Sequence, residues 1–233
     1  MLLTLILAFC LVSCGDSKTS EKNHSEALQY EPMNKELKTA EITSIGDCAD
    51  TDIVIPAYYM EYKIIRIGHC AFQYNEDIIS VTIPNTVTYI ERSAFAGCKK
   101  LKKVTISSNV HTIDSHAFEG CESLVSVSLP PNLETLSAYV FYECKNLTSV
   151  KIQDELTKIR PYAFFGCEKL KSITLPASIT CIDDFAFMNC KSLKSIKFAG
   201  TMKQWNSISF GSDWNLNVPA KEVVCSNGTI KLK

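Results

Sequence analysis

Apolar positions recur with a fixed period of 23 residues between Ile67 and about Gly200. In each of six copies an isoleucine or leucine precedes a phenylalanine by five residues, and in five of them a cysteine follows three residues later. The phenylalanines are Phe72, Phe95, Phe118, Phe141, Phe164 and Phe187, and the cysteines are Cys98, Cys121, Cys144, Cys167 and Cys190. Repetition without insertion or deletion predicts a solenoid, in which each copy forms one coil and neighbouring coils complete a shared core.

The second half of each copy predicts a short β-strand. Leu101, Val104 and Ile106 have the spacing L-x-x-L-x-L, and the alternation at Val104 and Ile106 is typical of a strand with one face buried. A constant period stacks such strands in parallel, about 4.7–4.9 Å apart. The Ala-Phe half must return the chain as a turn or short irregular helix. The predicted fold is therefore an α/β, mostly β, right-handed solenoid.

Two further positions carry backbone information. The residue before the cysteine is a glycine or asparagine in four copies, which favours a left-handed backbone there, although Tyr74 and Glu143 occupy it in the other two. Pro84, Pro130 and Pro176 end the strands of alternate copies. Because proline lacks an N–H, we expect strand pairing to stop at these positions.

Together these positions resemble the BspA-type leucine-rich repeat family, whose units read I-x-x-x-A-F-x-x-C-x-x-L-x-x-V-x-I-P. The resemblance runs from about Ile42 to the C-terminus and implies caps at both ends of the stack. It divides the chain into an N-terminal capping coil at 41–66, six repeats at 67–200 and a C-terminal cap at 201–233. Within that cap, Val223 to Leu232 is predicted to form a hairpin with an Asn227-Gly228 turn.

The first residues have the pattern of a targeting signal. Residues 1–13 are too short an apolar run to cross a bilayer, but have the length of a signal-peptide hydrophobic region. Leu11-Val12-Ser13-Cys14 resembles the lipobox of bacterial lipoproteins, although no Lys or Arg precedes it. The resemblance implies a lipidated Cys14 at the outer membrane or cell surface, and the alternative is a chance cysteine in an ordinary cleavable signal. The polar residues 14–40 are predicted to form a flexible tether.

The high number of cysteines does not by itself indicate disulfides or a metal site. Of eleven cysteines, five belong to the repeat, and stacked equivalents point in parallel instead of converging on a metal. We therefore interpret the repeat cysteines as buried apolar residues. Cys48 and Cys70, which each follow an Ile-Gly pair, leave a disulfide open as an alternative.

Composition and motifs argue against two classes of function. A net charge of −1 gives no long-range field for nucleic acid. The sequence has no P-loop, GxGxxG or HExxH motif, and Asp114 and His116 lie close together without a recurring nucleophile. We predict no catalytic residues, no metal and no cofactor, and hence no enzyme.

Binding is predicted on the strand face opposite the core, because solenoids usually bind partners on such surfaces. It is rich in Ser and Thr, and the candidate ligand-binding residues are Lys103, Thr105, Lys151, Gln153 and Lys197. The alternative is a face that is merely soluble. Trp205 and Trp214 are candidates for stacking on sugars, although their place in the closing segment favours a role in the cap.

These observations predict a lipid-anchored binding module at the cell surface. Members of the resembled family are associated with adhesion, which implies an extracellular or host protein as partner, or else a polysaccharide, with the membrane contacted only through the lipid. One alternative is a carbohydrate-binding or carbohydrate-processing accessory protein that uses the Trp-containing end. Another is a structural envelope lipoprotein.

Overall fold

The structure is a computed structural model that describes residue 25 and residues 27–232. The predicted signal peptide at 1–13 and the predicted lipidation site at Cys14 lie outside the described residues. Nearly all of the regular structure is short strands. In chain order the elements are β1 Gln29–Asn34, β2 Thr39–Ser44, β3 Asp52–Val54, β4 Tyr58–Tyr59, β5 Tyr62–Ile67, β6 Ser80–Thr82, β7 Tyr89–Ile90, β8 Lys103–Thr105, β9 Thr112–Ile113, β10 Ser126–Ser128, β11 Thr135–Leu136, β12 Ser149–Lys151, β13 Lys158–Ile159, β14 Ser172–Leu175, β15 Cys181–Ile182, β16 Ser195–Phe198, α1 Met202–Trp205, β17 Ser209–Phe210, β18 Glu222–Cys225 and β19 Gly228–Lys231.

Each repeat contributes two strands to two parallel stacks. A strand of three or four residues pairs with its equivalent in the next coil, as Val81 does with Val104. A strand of two residues does the same on the other side, where Ile90 lies opposite Ile113. Both registers are offset by 23 residues, which confirms the predicted period and the parallel stacking.

The repeat phenylalanines form the spine of the core. All six are at most 1% exposed. Consecutive rings stack with centroids 4.9–5.7 Å apart and planes within 15° of parallel. The spacing follows that of the coils, because each coil places one ring directly beneath the next.

The return half of each coil is a series of turns that holds two left-handed residues. The predicted position before the cysteine has φ between 55° and 72° in all six copies, including Tyr74 and Glu143. A second left-handed position lies two residues before each phenylalanine and contains no glycine: Cys70, Ser93, His116, Tyr139, Tyr162 and Phe185, with φ of 56–62°. Contacts between coils hold it, since the backbone N–H of each residue donates to the next coil, as Tyr139 does to the Pro161 carbonyl at 3.0 Å.

Within the six repeats the long strands pair in twos, although β6 also pairs at three positions with β3 of the N-terminal coil. The pairs β6–β8, β10–β12 and β14–β16 match at three or four positions, and each begins with a strand that ends at a proline. In contrast, β8 and β10 share one position, and among the described residues β12 and β14 share none. The proline-bearing copies thus divide the stack into pairs of coils.

The N-terminal cap begins earlier than predicted. The flexible tether predicted for 14–40 is wrong at its C-terminal end, because β1 and β2 form an antiparallel hairpin there and β2 also pairs with β5. The polar composition concealed two apolar anchors, Leu28 and Ala40, which are only 5% and 1% exposed. The first coil is irregular, as expected. Ile42 lies opposite Ile67 and Ile53 opposite Val81, so the two strands of this coil are offset from the next coil by different numbers of residues, neither of them 23.

The C-terminal cap is one more irregular coil closed by a hairpin. Phe210 pairs with Ile182 and Val223 with Ile196, which continues both stacks. The hairpin turn is Ser226-Asn227, one residue earlier than predicted, and Gly228 opens β19 with φ of 150°. The Asn227 side chain accepts from the Met202 N–H at 2.8 Å, which ties the turn to α1.

Candidate ligand-binding face

The strand face consists of the outward residues of β6, β8, β10, β12, β14 and β16. Inward residues such as Val104 and Ile173 are at most 8% exposed, whereas the outward residues are exposed or half-buried. The outward residues are hydroxyl-bearing or basic, with no carboxylate among them: Ser80, Thr82, Lys103, Thr105, Ser126, Ser128, Ser149, Lys151, Ser172, Thr174, Ser195 and Lys197. Carboxylates lie at its borders, where Asp52 accepts from the Ser80 hydroxyl at the N-terminal end and Glu222 begins β18 at the other.

The lysines of this face are not neutralised by neighbours. Lys103, Lys151 and Lys197 are exposed, as are Lys102, Lys171 and Lys194, which immediately precede β8, β14 and β16. None of the six forms an ion pair with another described residue. By contrast, two lysines at the turn edge are paired, Lys100 with Asp77 at 3.2 Å and Lys191 with Glu168 at 2.6 Å.

A shallow groove of about 440 Å³ opens near the middle of the strand face. Its rim is mostly hydroxyls and one cation, and Val127 and Val150 form its floor. The other lining residues are Ser126, Ser128, Ser149, Lys151, Ile152 and Thr174. The groove lies over the β10–β12 pair and over the gap in strand pairing between β12 and β14. The pairing of strands in twos therefore determines where the groove opens.

The five predicted ligand-binding residues share the face but not the groove. Lys151 lines the groove. Lys103 and Thr105 lie on β8, one strand before it, and Lys197 lies on β16 next to Thr174. Gln153 follows the end of β12 and is half-buried, with the exposed carboxylates of Asp154 and Glu155 after it.

The repeat cysteines do more than fill space. Each is fully buried and free, and its Sγ donates to the carbonyl of the phenylalanine 26 residues earlier, as Cys121 does to Phe95 at 3.2 Å. The other bonds are Cys98 to Phe72 at 3.0 Å and Cys144, Cys167 and Cys190 to Phe118, Phe141 and Phe164 at 3.2 Å. Burial raises the pKa of all five thiols, that of Cys98 to about 12. A thiol thus joins each coil to the one before it, which residue type alone did not reveal.

The remaining chemical candidates are separate from one another. Cys48 and Cys70 are both free thiols. His116 contacts the Glu119 carboxylate at 2.6 Å, whereas Asp114 accepts from the Ser115 N–H, so these two do not form a catalytic pair. Within the described part of the chain, no cluster of His, Cys, Asp and Glu could hold a metal.

The two tryptophans belong to the core of the C-terminal cap. Trp205 and Trp214 are 3% and 9% exposed, and they contact each other and Phe210. Trp214 also meets Phe187 edge-on at 6.1 Å, which closes the phenylalanine spine. Neither ring is available to stack on a sugar, so the predicted role in the cap is confirmed.

Sequence reasoning missed an aromatic row on the turn side. His116, Tyr139, Tyr162 and Phe185 are half-buried and stack 4.6–4.9 Å apart. They occupy the second left-handed position, so a search for aromatics two residues before each phenylalanine could have found them. Because each ring covers the face of the next, the row offers ring edges and not the open faces that a sugar would need.

Short parallel strands stacked at a 23-residue period, with one buried phenylalanine per coil, define a leucine-rich repeat solenoid. Residues 43–167 and 134–218 match the family described as BspA type Leucine rich repeat region (6 copies), and the chain belongs to that family. No functionally curated protein matches the sequence.

Solved structures of bacterial proteins share the fold. A leucine-rich repeat protein of T. pallidum is 24% identical with a TM-score of 0.73, over 87% of this chain and 90% of that one. The pneumococcal vaccine antigen PcpA is 16% identical with a TM-score of 0.60, over 86% of this chain and 69% of that one. A leucine-rich repeat protein of Bacteroides ovatus is 20% identical with a TM-score of 0.56, over 87% and 70%. Among the described residues, no helix has the length and apolarity needed to span a membrane.

Proposed function

We propose that this protein is a lipid-anchored module at the cell surface that binds an acidic extracellular protein through its strand face. The observation that carries the proposal is a group of six exposed lysines, on and beside the strand face, that have no carboxylate partner among the described residues, one of which lines a hydroxyl-rich groove. The sequence Leu11-Val12-Ser13-Cys14 supports the anchor, and membership of a leucine-rich repeat family supports a binding scaffold.

Charge and hydrogen bonding act together on this face. A lysine without a partner exchanges only water for a ligand carboxylate, so binding breaks no ion pair within the protein. Serine and threonine hydroxyls both donate and accept, which suits backbone amides and carboxylates alike. Because exposed charges are screened over about 8 Å at physiological ionic strength, we expect the affinity to fall as salt rises.

Reversing two of these charges tests the site. We expect Lys103→Glu with Lys151→Glu to weaken binding roughly tenfold or more, because attraction becomes repulsion on the strand face. The measurement is a pull-down with the full chain against extracellular matrix proteins and acidic polysaccharides, followed by titration of what is captured.

The matched control is Lys100→Glu with Lys191→Glu, which changes the net charge equally but acts on paired lysines of the turn edge. Equal losses in the two variants would show a non-specific charge effect and contradict the site. Retention of an acidic polysaccharide but of no protein would overturn the proposed partner class.

The carbohydrate alternative loses the residues on which it rested, because Trp205 and Trp214 are buried in the cap. A purely structural envelope role does not account for a strand face that is rich in hydroxyls and lysines and whose outward residues include no carboxylate. The binding module therefore remains the function that the surface supports best.

A further inference from the structure

Large exposed apolar side chains concentrate at the N-terminal end of the solenoid. Of the nine large hydrophobic residues that are exposed among those described, five belong to two adjacent hairpins. They are Met33 at 40%, Leu37 at 74%, Tyr58 at 59%, Tyr59 at 41% and Met60 at 81% exposed. Isolated exposed apolar residues are ordinary, but such a cluster indicates a contact with something outside the chain.

The two hairpin tips lie side by side and project from the stack. Residues 35–38 join β1 to β2, and residues 60–61 join β4 to β5. The tips are linked by the Lys63 N–H, which donates to the Lys38 carbonyl at 2.7 Å, and by the Lys38–Glu61 ion pair at 2.6 Å. Only the last two residues of β5 pair with β7, so the start of β5 and its hairpin extend beyond the next coil.

Local structure does not require apolar residues at these tips. Met60 has φ of 53° in a two-residue turn, a position that favours asparagine or glycine. Leu37 lies in a four-residue turn that is closed by the Asn34 side chain, which accepts from the Leu37 N–H at 2.7 Å. Both side chains point to solvent, so neither contributes to the core.

The position of Ser25 indicates what covers the tips. The Ser25 N–H donates to the Val54 carbonyl at 2.7 Å, which fixes residue 25 on the first coil, at the same end as the tips. Cys14 precedes Ser25 by eleven residues. Eleven residues reach at most about 40 Å when fully extended, so a lipid on Cys14 keeps this end within that distance of a bilayer.

We propose that the two hairpin tips insert into the membrane interface and hold the N-terminal coil of the solenoid against the bilayer. Leu37 and Met60 would enter the acyl boundary, and the ring of Tyr58 would lie at headgroup level, whereas the Tyr59 ring is stacked on Tyr30 at 4.1 Å. This inference rests on the lipid anchor of the proposed function.

The charges around the tips nearly cancel. Lys35, Lys38 and Lys63 are offset by Glu36 and Glu61, and Glu31 lies on β1 close by. Apolar insertion therefore carries the contact, and it does not depend on anionic lipid. The bilayer needed for a test is thus plain phosphatidylcholine.

The test places a tryptophan at a tip and asks whether lipid reaches it. The full acylated chain carrying Met60→Trp is incorporated into phosphatidylcholine vesicles with or without brominated acyl chains. We expect bromine to quench the new tryptophan at least about twofold and its emission to move to the blue. Trp205 and Trp214 are buried at the opposite end, so the unmodified chain supplies the background.

Leu216→Trp is the matched control, because Leu216 is 42% exposed and lies in the C-terminal cap, at the opposite end of the solenoid. Equal quenching at positions 60 and 216, or none at 60 in vesicle-bound protein, would overturn the proposal. A blue shift at 60 that grows with protein concentration without lipid would assign the tips to a second copy of the chain and also overturn it. Failure of the anchor is distinguishable, since the protein would then not sediment with vesicles.

Discussion

Raising the pH from 8 to 10 is expected to destabilise this protein far more than a solenoid without buried thiols. Each repeat cysteine is fully buried, and burial raises its pKa, so the folded chain keeps these five protons at pH 10. The unfolded chain releases them above its ordinary thiol pKa of about 8.5–9. It then binds fewer protons than the folded chain, and the free energy of unfolding falls as pH rises through that value.

The expected loss of unfolding free energy between pH 8 and pH 10 is large. Each thiol costs about 1.4–2 kcal/mol at pH 10, and five cost about 7–10 kcal/mol, which is comparable to the whole stability of a typical domain. Urea unfolding at pH 8, 9 and 10 under reducing conditions measures it.

A serine variant isolates the thiol contribution from that of other titrating groups. The Cys144→Ser hydroxyl does not ionise in this pH range, so the stability deficit of the variant relative to the unmodified chain should shrink by about 1.4–2 kcal/mol between pH 8 and pH 10. A deficit independent of pH would show that the thiol does not titrate on unfolding.

Truncating one phenylalanine of the spine should remove a large part of the free energy of unfolding. Phe164 is completely buried between Phe141 and Phe187, at centroid distances of 5.6 and 5.1 Å. We expect Phe164→Ala to lower the free energy of unfolding by about 3–5 kcal/mol, because it removes burial and leaves a cavity between two stacked rings. Chemical denaturation measures the loss.

The neighbouring residue supplies the control. Phe165 is half-buried on the turn side, stacked on Tyr142 at 4.9 Å, so Phe165→Ala should cost about 1 kcal/mol. Similar losses at the two positions would contradict the distinction between the internal spine and the aromatic side chains of the turn side.

The core was readable from the sequence because burial is periodic. Phe118, Cys121 and Leu124 recur at a spacing that only stacking satisfies, so their burial and the parallel strands followed directly. The cap role of Trp214 followed from its place after the last repeat.

Features that depend on contacts between coils were not readable. The left-handed backbone at Tyr139 is not marked by a glycine in the sequence, because the Tyr139 N–H donates a hydrogen bond to the next coil and holds it. The thiol–carbonyl bonds have the same origin. Sequence reasoning did not predict that residues 29–40 are structured. Their composition is polar, but two buried side chains, Leu28 and Ala40, anchor the segment.

The strand face was only partly predictable. Alternation identified its outward residues, and hence Lys103, Lys151 and Lys197 as exposed. The groove beside Lys151 opens where β12 and β14, as the described residues show them, do not pair with each other. The prolines hinted at a pairing in twos, but only the three-dimensional register reveals where a break opens.

The central claim is that a partner binds the strand face, and lysine acylation of the full chain tests it most directly. With and without the captured partner, mass spectrometry measures how fast each lysine reacts. The account predicts that Lys103, Lys151 and Lys197 lose reactivity in the complex, whereas Lys100 and Lys191 at the turn edge do not. Unchanged reactivity on the strand face, with protection at the turn edge, would contradict it.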